Sequence, residues 1–312
     1  MRLIVVGATG TIGAPVVRLA REMAITTIAG ARRAGAGVAT YDLENQPISA
    51  LVPDLGPEDV VILLAAVSSP GACFADPERA WRINVHCTAV RLAEIERTGA
   101  SAILMSTDQV FDGVHGGYTE DSTPNPLNLY GRTKAEGERI LLAMPQRFRL
   151  ARTGWNVGWD SSDRCPVRQC YATLLKPGAR MAHDNAINVT DVDDTARALI
   201  SIASAKPSAR IHHLVADGHV WRAEMAGAIV SRSARGARMS FVPIRFAELA
   251  YPEPRPRLAW LRATRTPVPG FRFASSGDTI ARKVRLLDCD RQFDAAIPQD
   301  SSSGHRICGP SG

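Results

Sequence analysis

Short apolar runs alternate with stretches of helical periodicity through the first half of this sequence. The apolar runs predict strands over residues 3–6, 25–29, 60–64, 102–105 and 148–151, and the periodic stretches predict helices over residues 15–23, 78–96 and 127–142. Alternation of this kind predicts βαβ units that form a parallel sheet. The predicted strands are apolar almost throughout, as strands covered by helices on both faces should be. We therefore expect an α/β fold with a doubly wound parallel sheet.

The pattern becomes less regular after Trp155. Residues 188–191 are expected to cap a helix that continues through Ile200, and a strand over 211–215 and a helix near 224–230 follow. We expect a first domain over residues 1–154 and a smaller C-terminal region over 155–312, from which the elements at about 188–216 return to the first domain. Little regular structure is expected beyond Pro267, and residues 301–312 are expected to form a mobile tail.

The composition is that of an ordinary globular protein. Apolar residues make up 45% and charged residues 22% of the 312 positions, which is unlike a disordered or coiled-coil chain. No uncharged apolar run is long enough to span a bilayer, and the N-terminus lacks a signal sequence, so we expect a cytoplasmic protein with no membrane partner. The six cysteines form no CxxC pair, so neither a metal site nor a disulfide framework is indicated.

The formal charge of +6 is concentrated in one segment. Residues 231–291 contain 13 Arg and Lys against 5 Asp and Glu, so the rest of the chain is slightly acidic. This excess predicts either a solvated surface or a site for an anionic substrate. Because no motif of stacking aromatic residues accompanies the arginines, a nucleic-acid partner is not expected.

Glycines recur at the spacing G-x-x-G-x-x-G where the first predicted strand turns into the first helix. Glycine allows the tight turn and the close approach of the backbone to a pyrophosphate, and the helix N-terminus supplies N–H groups and a partial positive charge. Strand, turn and helix in this order predict a dinucleotide site in a Rossmann fold. The candidate cofactor-binding residues of this loop are Gly7, Thr9, Gly10, Thr11, Ile12 and Gly13.

The end of the second predicted strand indicates which nicotinamide cofactor binds. An NAD site would place an acidic residue there for the ribose 2′-hydroxyl, whereas this chain has Arg32 and Arg33. Two guanidinium groups suit a 2′-phosphate, so NADPH is expected rather than NADH. Asp42 is a candidate adenine contact or a turn residue. The further expected cofactor contacts are Ala65 and Ala66, which follow the strand at 60–64, and Asn84, Tyr130 and Lys134.

Tyr130 and Lys134 lie four residues apart, on one face of the predicted helix at 127–142. A free phenol has a pKa near ~10, and a neighbouring cation favours the phenolate, so Tyr130 could exchange a proton with a carbonyl oxygen. Lys134 is also expected to bind the nicotinamide ribose. Thr107 follows the strand at 102–105 and would lie at the carboxyl edge of the sheet, where it could hold a substrate carbonyl.

Three segments together resemble the dTDP-4-dehydrorhamnose reductase family of extended short-chain dehydrogenases/reductases. They are the glycine loop, residues 106–113 and residues 125–134, and the similarity covers roughly residues 1–265. The resemblance implies a reductase of a nucleotide-linked 4-keto-deoxysugar in which NADPH delivers hydride, Thr107, Tyr130 and Lys134 are catalytic, and Tyr130 donates the proton. It also implies that Asn84 supports the lysine through a water molecule.

The same resemblance points to the substrate contacts. Residues 152–155 are similar to the family segment that enters the substrate site, and residues 254–256 are similar to its C-terminal substrate signature. The implied substrate-binding residues are Thr107, Asp108, Trp155 and Arg255. A nucleotide sugar is therefore the expected partner, and a homodimer is one assembly compatible with the family.

Departures from the family pattern leave other functions open. Gln109 replaces the tyrosine usual after Thr-Asp, residues 67–73 differ, and the chain beyond Thr264 does not match. A sugar-nucleotide 4,6-dehydratase would need Thr-Asp-Glu, and the Gln109 amide cannot act as its base. An epimerase stays open. So does a regulatory, NADP-binding protein, because the same Leu-Asn-Leu-Tyr-Gly stretch resembles the methionine adenosyltransferase β subunit.

Overall fold

The computed structural model describes residues 1–159, 165–205, 209–266 and 270–293. The predicted tail at 301–312 lies outside these residues. The described strands are β1 (Leu3–Val6), β2 (Thr27–Ala31), β3 (Ala39–Thr40), β4 (Val60–Leu63), β5 (Ser101–Thr107), β6 (Arg149–Thr153), β7 (Trp155–Val157), β8 (Arg180–Ala182), β9 (Ala186–Ile187), β10 (Val189–Asp191), β11 (Ile211–His213), β12 (Val220–Trp221) and β13 (Val242–Ile244).

The helices of the same residues follow the strands in alternation through the first half. They are α1 (Gly13–Glu22), α2 (Pro70–Ala75), α3 (Pro77–Trp81), α4 (Thr88–Arg97), α5 (Leu129–Leu142), α6 (Pro166–Leu174), α7 (Val192–Ala205), α8 (Arg222–Arg232) and α9 (Ser276–Asp288). A π-helical turn, Arg82–Cys87, joins α3 to α4.

Seven parallel strands form the central sheet in the order β11-β6-β5-β4-β1-β2-β3. Side chains alternate between its faces, so Leu3 and Val5 pack with α1 and α7 in one core, while Ile4 and Val6 pack with α4 and α5 in a second. Helices therefore cover both faces, and the predicted doubly wound Rossmann fold is confirmed. The segment at 211–215 returns to this sheet as β11, which pairs with β6.

The C-terminal part has its own hydrophobic core. Helices α6, α8 and α9 supply buried side chains to it, among them Tyr171, Met225 and Val284. Three two-stranded ladders, β7 with β10, β9 with β12 and β8 with β13, lie outside the central sheet. The division of the chain at residue 154 stays a prediction.

Several predicted elements differ from the structure. The strand expected at 25–29 lies at Thr27–Ala31, and the helix expected over 78–96 is interrupted by the π-helical turn. Residues 189–191 are a strand, although Asp191 does accept a hydrogen bond from the Asp193 N–H as α7 begins.

The expectation of little regular structure after Pro267 is wrong, because helix α9 begins directly after Ser275. The Ser275 hydroxyl caps this helix by accepting a hydrogen bond from the Asp278 N–H at 3.0 Å.

Candidate functional site

Most of the candidate residues before residue 154 follow strands of the parallel sheet directly, so these residues meet at its carboxyl edge. The glycine loop follows β1 and approaches both neighbouring strands. The Gly7 N–H donates to the Gly30 carbonyl of β2 at 2.9 Å, and a Cβ at Gly7 would lie 2.7 Å from the Ala65 nitrogen. Gly7 also has a φ of 93°, a conformation that favours glycine. The loop is therefore built around positions that a larger residue cannot occupy.

The start of α1 is open to an anion. No described side chain caps this helix, and its first turn contains no acidic residue. The first N–H groups of a helix lack partners within the helix and carry a partial positive charge. Thr9, Gly10, Thr11 and Ile12 lie beside this terminus and are at least partly exposed. This arrangement suits a pyrophosphate.

Arg32 and Arg33 follow β2 and are exposed, so both guanidinium groups are accessible to a ligand at the sheet edge. Asp42 follows β3, and its carboxylate is engaged in its own turn. Its Oδ1 accepts from the Glu44 N–H at 3.0 Å, and its Oδ2 accepts from the Asn45 amide at 2.8 Å. The structure thus favours the turn interpretation of Asp42.

Ala65 and Ala66 lie beside the glycine loop, and Asn84 contacts helix α5. Ala65 and Ala66 follow β4 and are half-buried, and the Ala65 N–H donates to the Val6 carbonyl. Asn84 lies in the π-helical turn, a feature frequent at functional sites. Its amide donates to the Thr133 hydroxyl at 3.0 Å, and Thr133 donates to the Tyr130 carbonyl at 2.9 Å. Asn84 therefore holds the turn of α5 that carries Tyr130.

Thr107 ends β5, and Asp108 begins the 3₁₀ turn Asp108–Val110. The Thr107 hydroxyl donates to Asp108 Oδ1 at 2.9 Å, while Asp108 Oδ2 is buried and accepts no hydrogen bond from the described residues. Burial raises the pKa of Asp108 to about 6, against hydrogen bonds from Thr107 and Gln109 that lower it. The site thus contains a carboxyl group that is protonated in mildly acidic solution.

Tyr130 and Lys134 are both buried on one face of α5. Burial raises the pKa of Tyr130 above that of a free phenol, although a hydrogen bond with the Thr107 side chain lowers it. This direction is opposite to the one expected from a neighbouring cation. Burial also lowers the pKa of Lys134 to about 8, and its Nζ donates to the Met105 carbonyl at 2.7 Å.

The close fit of α5 against the strand end explains how Thr107 and Tyr130 come together. Asn128 is fully buried and caps α5, since its side-chain oxygen accepts from the Gly131 N–H at 2.9 Å. A Cβ at Gly131 would lie 2.1 Å from the Gln109 carbonyl oxygen, so the helix touches the 3₁₀ turn directly. Asn128 was not among the residues predicted for the site, although an asparagine just before a periodic run is a capping signal.

Trp155 and Arg255 lie in the C-terminal part and are connected through Arg222 and Tyr251. Trp155 begins β7, is half-buried, and has the guanidinium group of Arg222 over its ring at 5.0 Å. Arg255 stacks over Tyr251 at 5.0 Å, and its buried Nε has no partner among the described residues. A cavity of about 170 Å³ is lined by Trp155, Arg222 and Tyr251 but not by Arg255, which borders an adjacent surface groove.

Arg222 was not singled out in the sequence, yet it joins these aromatic residues. Its Nη1 donates to the Tyr251 hydroxyl at 3.3 Å, and its Nε is buried without a partner in the described part of the chain. The sequence pattern around Arg222 does not predict this role, because Trp155 and Tyr251 are 67 and 29 positions away from it along the chain.

Neither a metal centre nor a membrane span is found in the described ranges. No group of three or more His, Cys, Asp and Glu residues there could hold a metal ion. No helix within these ranges is long and apolar enough to cross a membrane.

Comparison with known proteins gives one family that extends over most of the chain. The family model described as the RmlD substrate binding domain matches residues 1–272. This range includes the glycine loop, Thr107, Tyr130, Lys134 and the segment around Arg255.

Individual relatives match shorter segments. The chain is 38% identical over 143 residues to methionine adenosyltransferase 2 subunit beta of Xenopus tropicalis, which covers 45% of this chain and 42% of that protein. It is 32% identical over 159 residues to the dTDP-4-dehydrorhamnose reductase of Aggregatibacter actinomycetemcomitans, which covers 50% of this chain and 52% of that one. The matches thus span about half or less of the length of these relatives.

Among solved structures, dTDP-4-dehydrorhamnose reductase from Bacillus anthracis in complex with NADP is similar over nearly the whole fold. The TM-score is 0.77 at 21% sequence identity, with 90% of this chain and 97% of that one covered. At this identity the similarity establishes the fold.

Proposed function

The chain belongs to the RmlD substrate-binding family, and on that premise we propose that it is a reductase of a nucleotide-linked 4-keto-deoxysugar. NADPH, when bound, would supply the hydride that reaches the carbonyl carbon. The chain itself then has to bind the cofactor, hold the carbonyl oxygen and deliver one proton to it. A C=O group that gains a hydride and a proton becomes a secondary alcohol, so the atoms and electrons balance.

The residues present fit such a cofactor. The backbone around Gly7 and Gly13 leaves no room for a Cβ, and no described side chain caps the N-terminus of α1. Both features suit the binding of a pyrophosphate. Arg32 and Arg33 would hold the 2′-phosphate. Lys134 would bind the nicotinamide ribose. The NADP in the Bacillus anthracis structure supports this assignment by analogy of fold.

One juxtaposition carries the proposed chemistry: the Thr107 and Tyr130 side chains are both buried, and Thr107 is close enough to lower the pKa of the Tyr130 phenol. A carbonyl oxygen bound between the two hydroxyl groups would accept a hydrogen bond from each of them. Because burial keeps the Tyr130 phenol protonated at neutral pH, Tyr130 can act as the acid. The phenolate left behind needs a cation, and Lys134 is buried one helical turn away.

The substrate would extend from Thr107 towards the C-terminal part. Asp108 lies next to Thr107, and a Cβ at Gly154, which precedes Trp155, would be 3.5 Å from Asp108 Oδ2. The cavity beyond is lined by Trp155, Arg222 and Tyr251. An aromatic face beside guanidinium donors suits a nucleotide diphosphate, because an arginine fork matches phosphate oxygens.

A panel of ketosugar nucleotides tests the proposal. Purified protein is mixed with NADPH and dTDP-, UDP-, GDP- or CDP-linked 4-ketosugars, and oxidation of NADPH is followed by absorbance. We expect oxidation with one nucleotide series and an alcohol as the product. If NADPH binds but none of the ketosugars causes its oxidation, the protein is not a reductase of this class.

The second candidate is a regulatory NADP-binding subunit. It is favoured by the 38% identity to methionine adenosyltransferase 2 subunit beta, which exceeds the identity to the reductase of Aggregatibacter actinomycetemcomitans. The chain covers only 42% of that subunit, and Tyr130 and Lys134 are compatible with both functions. Binding of NADPH without turnover on the ketosugar panel, together with a change in the activity of an added methionine adenosyltransferase, would favour this function.

A further inference from the structure

Helix α5 contacts the end of β5 at two successive residues, directly before Thr107. Lys134 donates from Nζ to the Met105 carbonyl at 2.7 Å, and the carboxylate of Glu138, one turn later, accepts a hydrogen bond from the Ser106 hydroxyl. The end of β5, which carries Thr107, is therefore bonded to α5 by the Lys134 ammonium group and the Glu138 carboxylate.

The carboxylate of Glu138 also forms an ion pair with Arg152 of strand β6. Arg152 is the register partner of Ser106 on the neighbouring strand β6. Its Nε donates to Glu138 Oε1 at 2.9 Å and its Nη2 donates to Oε2 at 2.7 Å. Both side chains of this ion pair are only 2% exposed. A buried ion pair with bidentate geometry fixes the position of its members more than it adds stability.

Glu138 is also a buried carboxylate whose charge acts on Lys134. Burial lowers the pKa of Lys134, and the charge of Glu138 raises it, as does the Cys73 thiol from α2 to a smaller extent. Tyr130, on the same helix, and Asp108, directly after β5, are further titratable groups of the site. At i and i+4 the two charges lie on one face of the helix, and a neighbouring opposite charge typically shifts a pKa by about one to three units.

We propose that Glu138 is a positioning residue: clamped by Arg152, it fixes the Ser106–Thr107 strand end against α5 and keeps the neighbouring Lys134 in its charged form. The catalytic part of this inference rests on the proposed function, since it assumes that Thr107 and Lys134 serve the reaction. The structural part does not, because the charge state of Lys134 can be measured without a substrate.

Lysine titration by NMR tests the charge on Lys134 directly. The chain has four lysines, at positions 134, 176, 206 and 283, so protein labelled with ¹³C,¹⁵N-lysine gives few side-chain signals, and Lys134→Met assigns one of them. Glu138→Gln keeps the shape and removes the charge. We expect the titration midpoint of Lys134 to fall by at least about one pH unit in this variant. An unchanged midpoint in a folded variant would overturn the inference.

Two further variants separate this role from general stability. Glu136→Gln is the matched control, because Glu136 lies on α5 and pairs with Arg139 near the surface, so the Lys134 midpoint should stay at its wild-type value. Glu138→Gln/Arg152→Met removes both charges of the buried pair and covers the case in which Glu138→Gln alone does not fold. The midpoint should fall in this double variant too, but by less than in Glu138→Gln, because loss of the Arg152 cation acts in the opposite direction to loss of the Glu138 carboxylate. A midpoint at or above the wild-type value would contradict the inference.

If a ketosugar is turned over, kinetics test the catalytic part. Glu138→Gln should lower kcat by roughly 10- to 100-fold with little change in KM, as expected for misplaced catalytic groups. The alkaline limb of its kcat profile should move to lower pH, and Glu138→Asp should recover part of the rate. A wild-type pH profile would refute this part, whereas absence of turnover in the wild type would refute the proposed function and leave the NMR result standing.

Discussion

Gly13 lies against Gly7 so closely that a Cβ on Gly13 would be 2.2 Å from the Gly7 carbonyl oxygen and 2.9 Å from the Ala8 Cα. Both contacts are with backbone, which cannot move aside as a flexible side chain can. Gly13→Ala should therefore push the loop away from α1. We expect loss of stability by roughly 1 to 3 kcal/mol and NADPH binding weakened at least tenfold, measured by urea unfolding and by fluorescence titration.

Gly227→Ala is the matched control for this substitution. Gly227 lies in α8, and a Cβ there would meet nothing within 4 Å. Because alanine is the better helix former, this variant should gain up to about 1 kcal/mol and bind NADPH normally. Equal NADPH affinities in Gly13→Ala and wild type would show that the loop does not carry the cofactor.

The glycine loop also illustrates how much of the fold the sequence could predict. Strand, turn and helix are local, and each is encoded in ten or fewer consecutive residues, so the loop, the sheet and helices on both sides were predictable. Helix α9 was not, although Ile280, Val284 and Leu287 are buried at helical spacing. The sequence Ser275-Ser276-Gly277 at its N-terminus has the composition of a loop. Only the capping hydrogen bond of Ser275 shows that a helix begins there.

Preference for NADPH over NADH is the second prediction. Arg32 and Arg33 are exposed where the 2′-phosphate would lie. Arg33→Ala should reduce the difference in binding free energy between NADPH and NADH by roughly 1.5 to 3 kcal/mol, the contribution of one charge-assisted hydrogen bond. Titration with both cofactors measures it. Arg97→Ala, an exposed arginine at the end of α4, should leave the difference unchanged. Equal wild-type affinities for NADPH and NADH would refute the assignment.

The third prediction concerns the proton donor. Tyr130→Phe should abolish turnover of the ketosugar that the wild type reduces, because the phenol is the proposed acid. NADPH affinity should stay within about twofold, since the hydroxyl does not contact the dinucleotide in this assignment. Tyr171→Phe removes a buried hydroxyl that bonds to Asp288 in the C-terminal core, and it should retain activity. Most of the activity surviving in Tyr130→Phe would place the acid elsewhere.

The candidate site was only partly predictable, for a physical reason. Tyr130 and Lys134 share one helix, so their spacing alone places them on one face. Glu138 is on the same helix, but its role depends on Arg152 and Ser106 from two strands that pair only in the folded sheet. The same applies to Arg222, whose contacts with Trp155 and Tyr251 are long-range.

Asp108 gives the fourth prediction, a pH-dependent one. Burial raises the pKa of its carboxyl from 3.8 to about 6, so between these values the folded protein binds more protons than the unfolded chain. Stability should therefore fall as pH rises from about 4 to 6, by up to about 3 kcal/mol from this group. Asp108→Asn should be more stable than wild type at pH 8 and equal to it near pH 4, in urea unfolding. Its turnover should fall, since Asp108 is a proposed substrate contact.

The exposed Asp217 provides the control for this pH dependence. Asp217→Asn should show the wild-type difference in stability between pH 4 and pH 8. If Asp108→Asn keeps the wild-type pH dependence as well, the buried carboxyl is not the group responsible.

The last prediction places the nucleotide diphosphate beside Arg222. Its guanidinium group lies over Trp155 and reaches the Tyr251 hydroxyl, while its buried Nε lacks a partner among the described residues. A donor that is already desolvated and oriented binds an anion at little further cost. With NADPH present, dTDP, UDP, GDP and CDP at about 100 times the dissociation constant should add roughly 2.7 kcal/mol of stability if they bind, so thermal shifts identify the nucleotide.

Arg222→Ala should weaken binding of that nucleotide diphosphate by roughly 10- to 100-fold while NADPH affinity is unchanged, because the two ligands contact different parts of the chain. Arg255→Ala should weaken it as well, since Arg255 lies in the segment that resembles the family's substrate signature. Arg232→Ala, at the exposed end of the same helix α8, is the matched control and should bind as wild type does. If no nucleotide diphosphate stabilises the NADPH-bound protein, or if Arg222→Ala and Arg255→Ala retain full affinity, the arginines serve packing and the substrate binds elsewhere.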